Sequence, residues 1–185
     1  MSDKVKTLAE DKMNKSIAAL QEDFNTIRTG RASASLFDKI RVVYYGQKTP
    51  LSQVATISIP EARLVVIQPW DKSLLGEIEK AIQTSELSIN PNNDGKVIRI
   101  SIPPLTEERR KEYVKLAKNV AETSRVAIRN IRREANDELK KLQKSGDLSE
   151  DLVKRGEDDI QKITNEYIEN INQLLEKKEQ EILEV

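Results

Sequence analysis

The chain has 185 residues, 31 basic against 31 acidic, no His and no Cys, and is 34% charged with 4% aromatics. Without His and Cys there is no disulfide framework, no thiolate metal site and no Ser-His or Cys-His catalytic pair, and the commonest zinc ligand is absent. High charge with few aromatics suits long helices with solvated faces, and no apolar run reaches the about 18 residues of a membrane span. The first residues, MSDKVKTLAEDKMNKS, lack the apolar core of a secretory signal and contain acids, unlike a transit peptide, so a cytoplasmic protein is expected.

Residues 3–28 read as a helix, because Met13, Ile17, Leu20, Phe24 and Ile27 repeat with the alternating four- and three-residue spacing of a bundle seam. Gly30 is the expected stop. The period then changes. Segments 39–45, 53–59, 63–68 and 96–102 are short and β-branched, and Gly46, Pro50, Pro60 and the NPNNDG of 90–95 punctuate them as turns. Between them, residues 73–85 read as a helix with Leu75, Ile78 and Ile82 on one side. Pro103-Pro104 ends this small unit. Thr106 is an N-cap with Glu107 and Glu108 behind it, opening a helix that runs to about Lys144 before Gly146, roughly 58 Å at 1.5 Å per residue. Ser149 caps a third helix whose stripe is Ile160, Ile163, Tyr167, Ile171, Leu174 and Leu175.

A helix of that length needs a packing partner for its apolar stripe, and only the other two long helices offer matching seams. The expected fold class is α+β in two domains. Residues 1–30 plus 104–185 form a long three-helix bundle, and 31–103 form a small inserted β/α/β domain after the first helix. Two connections join them, at 29–32 and 103–105. A double connection resists twisting but permits bending, so Thr29, Gly30, Arg31, Ala32, Pro103, Pro104 and Leu105 are the candidate hinge.

Neutrality hides an asymmetry: residues 104–146 carry net +5 and residues 147–185 net −7. Arg125, Arg129, Arg132 and Arg133 fall within nine positions of the second long helix. With Ile128 at zero and about 100° per residue, Ala117, Ala121, Ser124, Ile131, Ala135, Leu139 and Leu142 lie between about −60° and +20°, the bundle seam. On the same wheel, Arg132 lies near about 40°, Arg125 about 60°, Arg129 about 100° and Arg133 about 140°, with Lys118 and Lys140 among them. Glu122 is the one acid in that arc. On a generic charged helix such a row is a solvated face, or it pairs with an acidic neighbour. Arg in preference to Lys points instead to phosphate, which its planar fork matches, and hence to a stripe that tracks a nucleic-acid backbone. Overall neutrality fits docking in one orientation on a structured RNA, read by shape and phosphate.

Other motifs are bland. No Walker, dinucleotide-binding or nucleophile-elbow pattern occurs. NPNNDG lacks the closing Glu of a calcium loop and reads as a turn, so no metal is expected. Trp70 reads as a local packing anchor in preference to a base-stacking platform, and of Tyr44 and Tyr45 one is expected in the core and one outside. Two rival classes remain at this level: a coiled-coil scaffold gripping an acidic protein, and a carboxylate enzyme using a divalent metal.

TIRTGRAS (26–33), VVYYGQKTPLSQVA (42–55), IQPWD (67–71), INPNNDG (89–95), IPPLTEERRKE (102–112) and IRNIRREAND (128–137), taken as a set and in order over the whole chain, resemble the bacterial ribosome recycling factor family. The resemblance implies an L-shaped molecule with a transfer-RNA-like outline and no catalysis or cofactor of its own. It implies binding to the post-termination ribosome, with the bundle on large-subunit ribosomal RNA across the A and P sites. Elongation factor G then acts with GTP to split the ribosome, initiation factor three keeps the subunits apart, and the factor works as a monomer away from membranes. The family's key RNA contact maps onto Arg132, with Arg129 and Arg133 beside it and Arg125 in the same stripe. Arg28, Arg31, Arg109 and Arg110, near the hinge, are assigned to RNA as well, with a structural salt bridge at the domain junction the alternative for each.

Overall fold

The computed structural model describes residues 1–87 and 89–184. They form two compact units: Met1–Ile27 with Lys111–Glu184, and Arg28–Arg110.

The first unit is helical. Its helices are α1 (Ser2–Asn25), α3 (Glu107–Lys144) and α4 (Glu150–Leu183), with α3 entering from the other unit. The expected seam of α1 is buried at Met13, Ile17, Leu20, Phe24 and Ile27, joined by Ala9. That of α3 is buried at Ala117, Ala121, Ser124, Ile128, Ala135 and Leu139, with Ile131 and Leu142 partly buried against the same core. On α4, Ile160, Ile163 and Ile171 are buried, while Tyr167, Leu174 and Leu175 pack partly buried beside them. Val153, Gly156, Thr164 and Ile182 complete that face. Gly156 is there for space: a Cβ on it would sit 3.0 Å from Leu139 Cδ1 and 3.3 Å from Cδ2. The hydroxyl of buried Thr164 donates to its own helix at the Ile160 carbonyl, 2.7 Å away, so it joins the core without an orphaned donor.

Local chemistry sets the helix ends. α1 stops at Asn25, three residues short of the expected 28. Thr26 Oγ1 donates to the Asp23 carbonyl at 2.7 Å, and the Thr26 and Ile27 amides tighten to i−3 partners, so the last turn closes before Gly30 is reached. Thr106 Oγ1 caps α3 through the Arg109 amide at 3.2 Å. Gly146, at φ +82, reverses the chain, and the Asp147 and Leu148 amides both return to the Leu142 carbonyl. Ser149 Oγ then accepts from the Leu152 amide and starts α4.

The second unit holds a hairpin, β1 (Arg41–Tyr44) with β2 (Gln47–Pro50), and a four-stranded antiparallel sheet ordered β3-β4-β6-β5. Its strands are β3 (Ala55–Glu61), β4 (Leu64–Pro69), β5 (Pro91–Asn93) and β6 (Ile98–Ser101). α2 (Leu75–Gln83) shares a core with Val65, Ile67, Ile98 and Ile100, the inward alternate residues of β4 and β6, through Leu75, Ile78 and Ile82. Pro60 does not end β3 as expected. It sits where the β3–β4 register shifts between Ser58 and Glu61, a break that tolerates a residue without an N–H. β2 and β5, polar and Pro-containing, are strands that the sequence pattern presents only as turns. Within NPNNDG the turn proper is Asp94-Gly95, with Gly95 at φ +88. Asp94 Oδ1 accepts from the Lys96 and Val97 amides, both at 2.9 Å, and its other oxygen pairs with Arg99.

Two aromatic expectations resolve differently. Trp70 is no packing anchor: it is 69% exposed, and its indole N–H donates to Thr56 Oγ1 at 3.1 Å. Its place at the strand end puts it beyond the inward positions of β4. Tyr44 packs partly buried against the core while Tyr45 is exposed, as alternation requires. Tyr45 also occupies the positive-φ region with Gly46, making the two-residue turn of the hairpin.

Candidate nucleic-acid interface

The stripe is built on the exposed edge of α3, beside its seam. Its four arginines stand in different electrostatic situations. The guanidinium of Arg125 is largely taken up by the bundle: its side chain is 18% exposed, Nε donates to Asn172 Oδ1 of α4 at 2.9 Å, and a terminal nitrogen pairs with Glu122 at 3.0 Å. Arg129 pairs with the other oxygen of the same carboxylate at 3.2 Å. Hydrogen bonds from Arg125 and then Arg129 hold the Glu122 carboxyl below its ordinary value, with burial opposing them. The single acid of the arc thus bridges two of the four cations.

Arg132 is different. A terminal nitrogen donates to Gln161 Oε1 of α4 at 3.2 Å, and Gln161 Nε2 donates to Asn165 Oδ1 at 2.8 Å. Its partner is a neutral amide, so its charge is not cancelled. Arg133 is exposed one position further round the helix. Among the described residues, no carboxylate lies within ion-pairing distance of either Arg132 or Arg133. Lys118 reaches Glu179 of α4 only at 3.9 Å. The acids of α3 on the far side are engaged elsewhere, Glu134 with Lys12 of α1 at 3.0 Å and Glu138 with Lys141 at 3.9 Å.

The remaining site candidates lie in the other unit. The Arg28 guanidinium donates to the Leu87 carbonyl. Arg31 and Arg109 are exposed and Arg110 is half-buried. Gly30 holds φ +75, and a Cβ there would meet Leu105 Cγ at 3.4 Å. Beyond these segments the chain is pinned to the β3–β4 turn: the Ala32 amide donates to the Ala62 carbonyl and the Ile102 amide to the Arg63 carbonyl, both at 2.7 Å. Thr29, Gly30 and Arg31 on one side, and Pro103, Pro104 and Leu105 on the other, belong to no helix or strand among the described residues.

Among the described residues there is no cluster of acids that could hold a metal ion, and no helix is long and apolar enough to cross a membrane. Sequence reasoning located the four arginines but missed the α4 amides that meet them. The only signal for these was Gln161, Asn165 and Asn172 on one face of an otherwise acidic helix.

Fold and stripe define a two-unit α+β protein whose helical bundle presents uncompensated arginine. The family model of ribosome recycling factor matches residues 20–183. The ribosome-recycling factor of Treponema denticola is 64% identical over 184 residues, and that of Bacillus subtilis 52% identical over 185, each match spanning all of both chains. A solution structure of the ribosome recycling factor superposes with a TM-score of 0.81 at 43% identity, covering 100% of this chain and 98% of that one. A model of the Thermus thermophilus factor, bound with Escherichia coli elongation factor G to the post-termination complex, matches with a TM-score of 0.69 at 50% identity over 99% of each chain. The chain belongs to the ribosome recycling factor family, whose members are translation factors and not enzymes.

Proposed function

We propose that this protein binds the post-termination ribosome with its helical bundle on large-subunit ribosomal RNA across the A and P sites, and that elongation factor G, using GTP, then splits the ribosome. The factor contributes no cofactor. It acts as a cytoplasmic monomer, with initiation factor three holding the separated subunits apart. The observation that carries this reading is the end-to-end match to a relative seen on the post-termination complex with elongation factor G. In support, the α3 stripe keeps cationic charge where RNA phosphate would meet it.

Within the stripe, Arg132 is assigned the principal phosphate contact, with Arg133 and Arg129 beside it. Arg125, gripped by Asn172 and Glu122, supports the face and contributes less to RNA. Arg28, Arg31, Arg109 and Arg110 are assigned to RNA near the connections. The small domain, residues 31–103, moves about Thr29–Ala32 and Pro103–Leu105 when elongation factor G engages.

Co-sedimentation with post-termination ribosomes tests the binding half of the reading. Wild type should pellet with ribosomes and Arg132→Ala should pellet measurably less, at equal helicity. Equal pelleting of the two would remove Arg132 from the interface, and no pelleting of wild type would remove the ribosome as partner.

A further inference from the structure

We infer that Gln161 and Asn165 of α4 are positioning residues for the ribosome contact: they fix the Arg132 guanidinium through a neutral amide relay and so keep its charge for an RNA phosphate. The inference rests on the function proposed above and concerns what makes that contact effective.

Residues 147–185 hold 12 acids against five bases, so a cation leaning on this helix would by default meet a carboxylate. Glu122 shows the consequence on α3, where one acid ties up both Arg125 and Arg129. Yet the α4 residues that reach the stripe's arginines are amides: Gln161 at Arg132 and Asn172 at Arg125. Positions 161, 165 and 172, four and seven apart, share one face of α4.

The relay also has a direction. Gln161 Nε2 donates to Asn165 Oδ1 at 2.8 Å, which leaves Gln161 Oε1 turned to accept from Arg132. Without Asn165 the amide could rotate and present its NH2 to the guanidinium, donor against donor. One guanidinium N–H is engaged by Gln161, and the others remain to grip phosphate in a bidentate fork. Freezing an arginine costs rotamer entropy, and the relay meets part of that cost before the ribosome is bound. Gln161 and Asn165 are themselves exposed, so neither is needed for the bundle core.

The test is fluorescence anisotropy of the labelled full-length chain with purified large ribosomal subunits over a salt series. Gln161→Glu, nearly the same shape with one more charge, should weaken binding about tenfold and flatten the salt dependence by about one phosphate contact. Gln161→Leu keeps the arginine's charge but frees its position, so it should weaken binding by about threefold at an unchanged salt slope. Asn165→Leu should behave like Gln161→Leu. In an Arg132→Ala background, Gln161→Glu should have no further effect. If Gln161→Glu binds like wild type while Arg132→Ala loses affinity, the relay is refuted and the RNA-binding reading stands. If Gln161→Glu weakens binding equally with and without Arg132, the residue acts on something other than this guanidinium and the inference falls. If Arg132→Ala costs nothing, or wild type does not bind, the underlying reading fails and takes the inference with it.

Discussion

Gly156 sets how closely α4 approaches α3, and its replacement by alanine gives a sharp energetic prediction. In an open helix, Gly→Ala stabilises by about 1 kcal/mol. Here the new methyl would lie 3.0 Å from Leu139 Cδ1 and 3.3 Å from Cδ2, and Leu139 is fully buried in the bundle core, so any retreat pushes it against its packed neighbours. Overpacking of this kind costs about 1–3 kcal/mol, leaving Gly156→Ala destabilising by about 1 kcal/mol net. Leu139→Ala alone should cost about 2–5 kcal/mol through lost burial and the cavity left behind. In that background the clashing methyls are gone. Gly156→Ala should then stabilise by nearly 2 kcal/mol, from its propensity plus about 0.8 kcal/mol for one buried methyl. The coupling between the two sites is therefore about 3 kcal/mol, far above the about 0.5 kcal/mol scatter of independent sites. Urea unfolding followed by helical circular dichroism, on the four proteins of the cycle, measures it. Additive effects, or a stabilised Gly156→Ala single variant, would refute the claim that this glycine exists for interhelical clearance.

Three further outcomes are expected. Ser149→Ala removes the side-chain acceptor that meets the Leu152 amide and should lower bundle stability by about 1 kcal/mol in the same urea assay. The Asp94 carboxyl is pulled down to about 2 by hydrogen bonds from the Val97 and Lys96 amides and then by Arg99, with burial opposing. Because its folded value lies below the ordinary one, the stability it lends the β5–β6 turn is present above about pH 4 and is lost as pH falls toward 2. Carboxyl NMR titration should find its midpoint near 2, and an ordinary midpoint of 3.8 would contradict the turn chemistry. Gly30→Ala, held at φ +75, should strain the connection by about 1–2 kcal/mol and slow ribosome splitting more than binding. Equal slowing of both would deny Gly30 a part in domain motion.

Most of the fold is legible because apolar spacing dictates it. The seam of α3 needs only a turn of about 100° per residue, and all eight of its members are buried or partly buried on the bundle side, with Tyr113, Val114 and Val120 packing beside them. β2 and β5 were not legible, since QKTP and PNN carry neither alternation nor β-branched bulk. They are strands because β1 and β6 pair with them, which is a tertiary fact. Gly156 was invisible for a related reason: a glycine inside a helix looks like a defect until the opposing Leu139 is known. Gly30 reads from sequence as a pliant joint, and its positive φ adds that proline would break that backbone and could not simply stiffen it.

The arginines themselves follow from the helical wheel, but their inequality does not. Arg125 and Arg132 lie within about 20° of each other on the wheel. One meets an amide and a carboxylate while the other meets an amide alone. The carboxylate follows from α3 alone, since Glu122 stands three residues before Arg125 and no acid stands three or four before Arg132. The amides depend on the register of α4 against α3, which no single-helix pattern encodes.

The measurement that bears most directly on the account is light scattering of post-termination ribosomes mixed with this protein, elongation factor G, GTP and initiation factor three. The account predicts a drop in scattering that requires the protein, elongation factor G and GTP together, and that disappears with Arg132→Ala at unchanged helicity. Intact ribosomes with wild type, using elongation factor from the same source, would contradict the proposed recycling function. Undiminished splitting with Arg132→Ala would contradict the placement of its RNA contact.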